Sequence, residues 1–162
     1  MKKITVVGLL IFLFCNVLAQ QTIKQIKPSA IVGTWRLIEF ADKDSATNVW
    51  IDRYGKNPRG YFTYTKNGLL NINISSDHPL KITEEEGRKY SVNLFDYIDK
   101  NSFGYFGTYA VEPDKGRVIH HVNGGCIPWY TDTDQPRQFK LKGDTIIIGD
   151  NIKTRRVLVR AD

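Results

Sequence analysis

Apolar and polar residues alternate along much of this chain with a period of two, the spacing of half-buried strands. In "GYFGTYAVE" (104–112), Tyr105, Gly107, Tyr109 and Val111 share one face, and Phe106, Thr108 and Ala110 share the other. In "RVIHHVNG" (117–124), Val118, His120 and Val122 oppose Ile119, His121 and Asn123. In "RQFKLKG" (137–143), Gln138, Lys140 and Lys142 face solvent, which turns Arg137, Phe139 and Leu141 inward. Five more runs read as strands: "GTWRLIEF" (33–40), "RGYFTYT" (59–65), "LLNINIS" (69–75), "TIIIGD" (145–150) and "RRVLVRA" (155–161). Lys66-Asn67-Gly68, Pro113-Asp114-Lys115-Gly116 and Gly143-Asp144 supply the turns of three hairpins. "ADKDSATN" (41–48) reads as a loop, and "YGKNPRG" (54–60) as a Gly- and Pro-punctuated loop at one rim.

A single segment switches to the helical period. In "TEEEGRKYSVNLFDYI" (83–98), Thr83 and Glu86 have capping-box spacing, and Glu84, Glu85 and Glu86 suit the positive end of a helix dipole. Tyr90, Leu94 and Ile98 recur four apart and form one apolar stripe. Eight sequential strands, with one short helix between the third and the fourth, predict an all-β fold. The expected form is an eight-stranded antiparallel barrel. Closure removes exposed sheet edges. A barrel of this size has room for its core side chains and at most one small ligand.

The N-terminus stands apart from this pattern. Lys2 and Lys3, the apolar run Ile4 to Leu13 and the triplet Val17-Leu18-Ala19 read as a cleavable signal peptide over residues 1–19. The run is short for a membrane span and no second one follows. Phe14 before Cys15 argues against lipidation, because such signals carry a small residue there. The expected protein is therefore exported, to the periplasm or beyond. It has an irregular lead-in over 20–30 and one domain over 31–162. About 143 residues remain after cleavage, enough for a single core without staples. Cys126 is then the one cysteine left, which rules out an internal disulfide and reads as a buried thiol. The formal charge of +6 falls to about +4 without Lys2 and Lys3. Lys and Arg are scattered, so no nucleic-acid partner is implied. The densest basic cluster, Lys153-Thr154-Arg155-Arg156, reads as a solvated strand edge.

Gly33-Thr34-Trp35 has the G-x-W form that opens the first strand of lipocalins. Five blocks, "GTWRLIEF", "YGKNPRGYFTYTKNGLL", "YFGTYAVE", "VIHHV" and "PWYTDTDQPRQFKLKGD", follow in register from residue 33 to about 160. In these blocks the chain resembles the bacterial and fungal lipocalin-like domain family. The resemblance implies a calycin-type barrel. It implies less about activity, since that family is mostly uncharacterised in function. It also implies an arginine packed over the G-x-W tryptophan, here Arg156 or Arg160 over Trp35. This sequence departs from the family at Asp132, where glycine is usual, and at Arg160, where tryptophan is common. The loop aromatic is also shifted between Trp129 and Tyr130.

His120 and His121 are neighbours on a strand, so they point to opposite faces and cannot both enter the lumen. A zinc site needs three or four converging ligands. His78 and Cys126 have no ligand spacing to them, so neither a metal nor a cofactor is expected. An inward histidine is either hydrogen-bonded to a Tyr or carboxylate in the wall or serves as a polar ligand anchor. Arg137, on an apolar face, needs a partner, either a carboxylate of the protein or an anionic head group. The candidate ligand-binding residues are Tyr61, Tyr105, Tyr109, His120, Trp129, Arg137 and Phe139. The leading expectation is a non-catalytic binder of a small hydrophobic or amphipathic molecule. The alternatives are an isomerase- or cyclase-type enzyme using His or Tyr as acid/base, and a filled barrel acting through its surface. No nucleophile–base–orienter triad is visible to favour an enzyme.

Overall fold

Period-two alternation turns directly into inside and outside. The computed structural model describes residues 27–89 and 94–162, and among these the strands form one antiparallel sheet. They are β1 (Gly33–Lys43), β2 (Trp50–Asp52), β3 (Arg59–Tyr64), β4 (Leu69–Ser75), β5 (Ser102–Glu112), β6 (Arg117–Gly125), β7 (Thr133–Lys142), β8 (Thr145–Ile148) and β9 (Thr154–Arg160). Each of β3 to β8 pairs with the next, and β1 pairs with both β3 and β9. The last pairing runs from Trp35↔Arg160 to Asp42↔Thr154 and closes an eight-stranded barrel. β2 lies outside the closed set, paired to the far end of β1.

On β4, Leu70, Ile72 and Ile74 are buried while Leu69, Asn71 and Asn73 are exposed. The same rule sends Trp35, Phe62, Tyr64, Val118, Phe139 and Leu158 into one core. Each such side chain stabilises the barrel by about 1.5–3 kcal/mol on full burial.

The two ends of the barrel differ. Tight turns at 65–68, 113–116 and 143–144 gather at one end, with Gly68, Gly116 and Gly143 at positive φ. The 3-10 turn Pro28–Ile31 crosses this end, and the Trp35 indole donates to the Ile31 carbonyl at 2.7 Å. Arg160 lies 4.2 Å over the Trp35 ring and donates to the Val32 and Ala30 carbonyls. Of the two arginines expected over Trp35, it is Arg160 that takes the place. The longer connections, 44–58, 76–101, 126–132 and 149–153, all gather at the other end.

Several boundaries differ from the sequence reading. β1 continues to Lys43, and β2 occupies a stretch that shows no alternation. β7 starts four residues before Arg137 and includes Pro136, whose side chain is exposed. Two helical segments, α1 (Glu84–Lys89) and α2 (Leu94–Lys100), flank residues 90–93, which lie outside the described residues together with Tyr90 of the expected stripe. The capping box is present: the Glu86 carboxylate accepts from the Thr83 amide at 2.7 Å, and the Thr83 hydroxyl accepts from the Glu86 amide at 3.2 Å. Lys153 is exposed in the turn before β9, but residues 154–156 are not a solvated edge, because β9 is paired on both sides. Arg155 bonds Glu39 at 2.6 Å, and Arg156 turns into the barrel against Phe40. The expected signal peptide and most of the lead-in lie outside the described residues.

Candidate functional site

The end carrying the long connections opens into a cavity of about 810 Å³. That volume falls within the range of small-molecule sites. Its apolar wall comes from β1, β3, β5, β8 and the loops above them: Phe40, Phe62, Phe103, Ile148, Tyr54 and Ile127. Phe40 meets Tyr54 and Phe103 edge-on, with centroids 4.9 and 5.6 Å apart. The Tyr54 hydroxyl donates to the Ile98 carbonyl at 2.6 Å and so ties α2 to the wall.

At the floor sits His120, with no exposed surface. It projects inward from β6 beside Val118 and Val122. Its Nδ1 lies 2.7 Å from the Tyr105 hydroxyl, and its Nε2 lies 3.0 Å from the Tyr64 hydroxyl. Burial, then the charge of Arg137, then His121 push its pKa down to about 3, so the ring is neutral at ordinary pH. Burial pushes Tyr105 up to about 12 and Tyr64 well above the usual phenol value. All three groups are therefore uncharged. His121 points outward, 2.5 Å from Asp134.

Three guanidinium groups line the cavity: Arg53, Arg137 and Arg156. Asp42 serves two of them, 3.2 Å from Arg53 and 2.7 Å from Arg156. The contact with Arg156 is an ion pair without hydrogen-bond alignment. Arg156 instead donates to the Ala41 carbonyl at 2.7 Å and stacks 3.5 Å over Phe40. Asp150, at the rim, is held down to about 2 by the amides of Thr154, Ile152 and Lys153. Arg137 has neutral partners: the Gln135 side-chain oxygen at 3.1 Å, the Pro136 carbonyl at 3.1 Å and the Tyr130 hydroxyl at 3.4 Å. Its guanidinium also lies 5.7 Å from the Tyr130 ring centre.

Of the residues expected to bind a ligand, Tyr105, His120, Trp129 and Arg137 line this cavity. Tyr61 does not. Phe62 and Tyr64 take the inner face of β3, so alternation leaves Tyr61 outside and half-exposed. Phe139 is inward but packed in the core away from the cavity. Tyr109 lies towards the closed end, where its hydroxyl donates to the Thr65 carbonyl at 2.8 Å. Sequence reasoning missed Phe40, Asp42, Tyr54, Phe103 and Arg156. Their one available signal was position, since all lie near the open-end termini of strands. Cys126 is half-buried, and its sulfur accepts from the Gly104 amide at 3.1 Å. Among the described residues, no group of three His, Cys, Asp or Glu is placed to hold a metal ion. No described helix is long and apolar enough to cross a membrane.

A family model described as a lipocalin-like domain matches residues 32–158. The match runs from the residue before Gly33 to the middle of β9 and so spans the closed barrel. No curated protein matches the sequence.

Proposed function

The chain belongs to the lipocalin-like domain family, and from that premise we propose that it is an exported protein that binds one small hydrophobic or amphipathic molecule in its barrel, without chemistry. The observation that carries this reading is the cavity itself. It is about 810 Å³, it opens at one end, and its wall joins an aromatic and aliphatic patch to a set of charged and polar groups. The other end is closed by Trp35, Arg160 and the Pro28–Ile31 turn. A molecule entering at the open end buries its apolar part against Phe40, Phe62, Phe103 and Ile148, which supplies the driving force. The export part rests on the residue pattern of 1–19.

The protonation of the floor supports binding over acid–base catalysis. A general acid or base works best with a pKa near the operating pH. His120 near 3 and Tyr105 near 12 both lie far from it.

The test uses N-phenyl-1-naphthylamine, a neutral apolar dye that brightens on leaving water. The expected result is a saturable rise in dye emission, with one site per chain. Trp129 stands at the rim, 57% exposed, and its emission falls as the dye enters. In Trp129→Phe that quenching disappears while dye binding remains. A linear, unsaturable dye signal means that the barrel takes no guest, and the reading fails.

A further inference from the structure

Counting donors at the cavity floor assigns one proton to the lumen. Tyr64 is fully buried, and among the described residues its hydroxyl has a single hydrogen-bond partner, His120 Nε2 at 3.0 Å. A buried O–H left unused costs more than a spare lone pair. Tyr64 therefore donates, and Nε2 accepts. The neutral ring then carries its proton on Nδ1, which donates to the Tyr105 oxygen at 2.7 Å. Tyr105 also feels the Arg137 guanidinium as a nearby positive charge. With Nδ1 donating to its oxygen, the Tyr105 O–H proton has no acceptor among the described residues, and Tyr105 lines the cavity. Polarisation along such a chain strengthens the last donor. The Tyr130 hydroxyl accepts from Arg137 at 3.4 Å and makes no other hydrogen bond among the described residues.

Arg137 completes the set. Among the described residues no carboxylate lies within ion-pair distance of it, whereas the deeper Arg156 has Asp42. The groups that Arg137 touches are all neutral acceptors, and the cavity's carboxylates, Asp42, Asp96 and Asp150, make no ion pair with it. A lone hydroxyl or ketone in the ligand would leave the guanidinium charge uncompensated. An oxyanion would satisfy the guanidinium and the phenol together.

We propose that the ligand is an anionic amphiphile, with its carboxylate or similar oxyanion held between the Arg137 guanidinium and the Tyr105 hydroxyl and its apolar part against Phe40, Phe62 and Phe103. This assignment rests on the cavity-binding reading and adds the charge of the guest. His120 and Tyr64 are positioning residues: they set the direction of the Tyr105 proton without touching the ligand.

The test is displacement of N-phenyl-1-naphthylamine by decanoate and by 1-decanol, which share a chain length and differ in the head group. Decanoate is expected to displace the dye about 10- to 100-fold more effectively than decanol, the range of charge-assisted hydrogen bonds. Arg137→Gln loses that preference, Arg137→Lys keeps part of it, and Tyr105→Phe loses part of it. Saturable dye binding at one site per chain in Arg137→Gln establishes that the variant's cavity is intact, and the decanoate-to-decanol ratio is taken within each variant, so a change in dye affinity does not enter it. Equal displacement by the two probes overturns the proposal but leaves cavity binding standing, as does a decanoate preference that survives in Arg137→Gln. Failure of the dye to bind at all brings down cavity binding first, and this proposal with it.

Discussion

His120 makes the barrel sensitive to acid, and the sign follows from where its proton binds. The free ring titrates at 6.5, whereas the folded ring titrates near 3, because burial, Arg137 and His121 all oppose the charged form. As pH falls through that window the unfolded chain takes up a proton that the folded barrel refuses. Stability from this group is complete above 6.5 and declines as pH drops towards 3. Between pH 7 and pH 5 the loss comes to about 2 kcal/mol, whatever the folded value, provided it lies below 5. The carboxylates with lowered pKa, such as Asp150 and Glu86, start from ordinary values of 3.8 and 4.5 and add their share at lower pH. Urea unfolding at pH 7 and pH 5 should show this drop. His120→Gln supplies a donor and an acceptor but no titrating group, so its two free energies should differ by less than half as much. A drop as steep as that of the wild type would assign the effect to another residue.

At the scale of elements, the β5–β6 pair carries both Tyr105 and His120, and it depends on a bulge between Phe106 and Gly107. A Cβ at Gly107 would collide with the His121 carbonyl oxygen on β6. Gly107→Ala therefore forces the two strands apart beneath the site. The expected cost is roughly 3 kcal/mol or more, with loss of dye binding. Gly143 is also at positive φ, but a Cβ there meets open space, so Gly143→Ala should cost about 1 kcal/mol and leave binding intact. Thermal melts of the two variants separate these outcomes. The strands themselves were legible because each buries one face: the alternation in 104–112 and 117–124 sorted the side chains into two faces without naming the inner one, and in 137–143 the lysines also identified the inward side. Tyr61 was not legible in this way. The run "RGYFTYT" has aromatics of both parities, and only the paired structure shows Phe62 and Tyr64 inside. β2 was hidden because three residues are too few to show a period. Arg156 was hidden because its inward turn depends on β9 closing against β1, a pairing between residues more than a hundred positions apart. The site was thus legible where one strand decides the side of a residue, and illegible where closure does.

At the scale of the whole molecule, the barrel divides stability and binding between its two ends. The closed end holds Trp35, Ile31 and Arg160, with the guanidinium capping the ring and two backbone carbonyls. None of these residues lines the cavity. The open end holds Arg137, Tyr105 and Trp129, which add polar and half-exposed surface to the site. Arg160→Ala should therefore weaken the fold without weakening the guest. Loss of the cation–π contact and of the donors to Ala30 and Val32 costs about 1–3 kcal/mol, a fall in Tm of roughly 3–10 °C for a domain of this length. Affinity for N-phenyl-1-naphthylamine at 25 °C should stay within about twofold of wild type, since an effect on folding this small leaves nearly every molecule native. Arg160→Lys keeps the charge but loses the planar fork that spans ring and carbonyls, so it should recover part of the Tm. A dye affinity that falls tenfold in Arg160→Ala while the protein remains folded would show that the two ends are coupled through the strands.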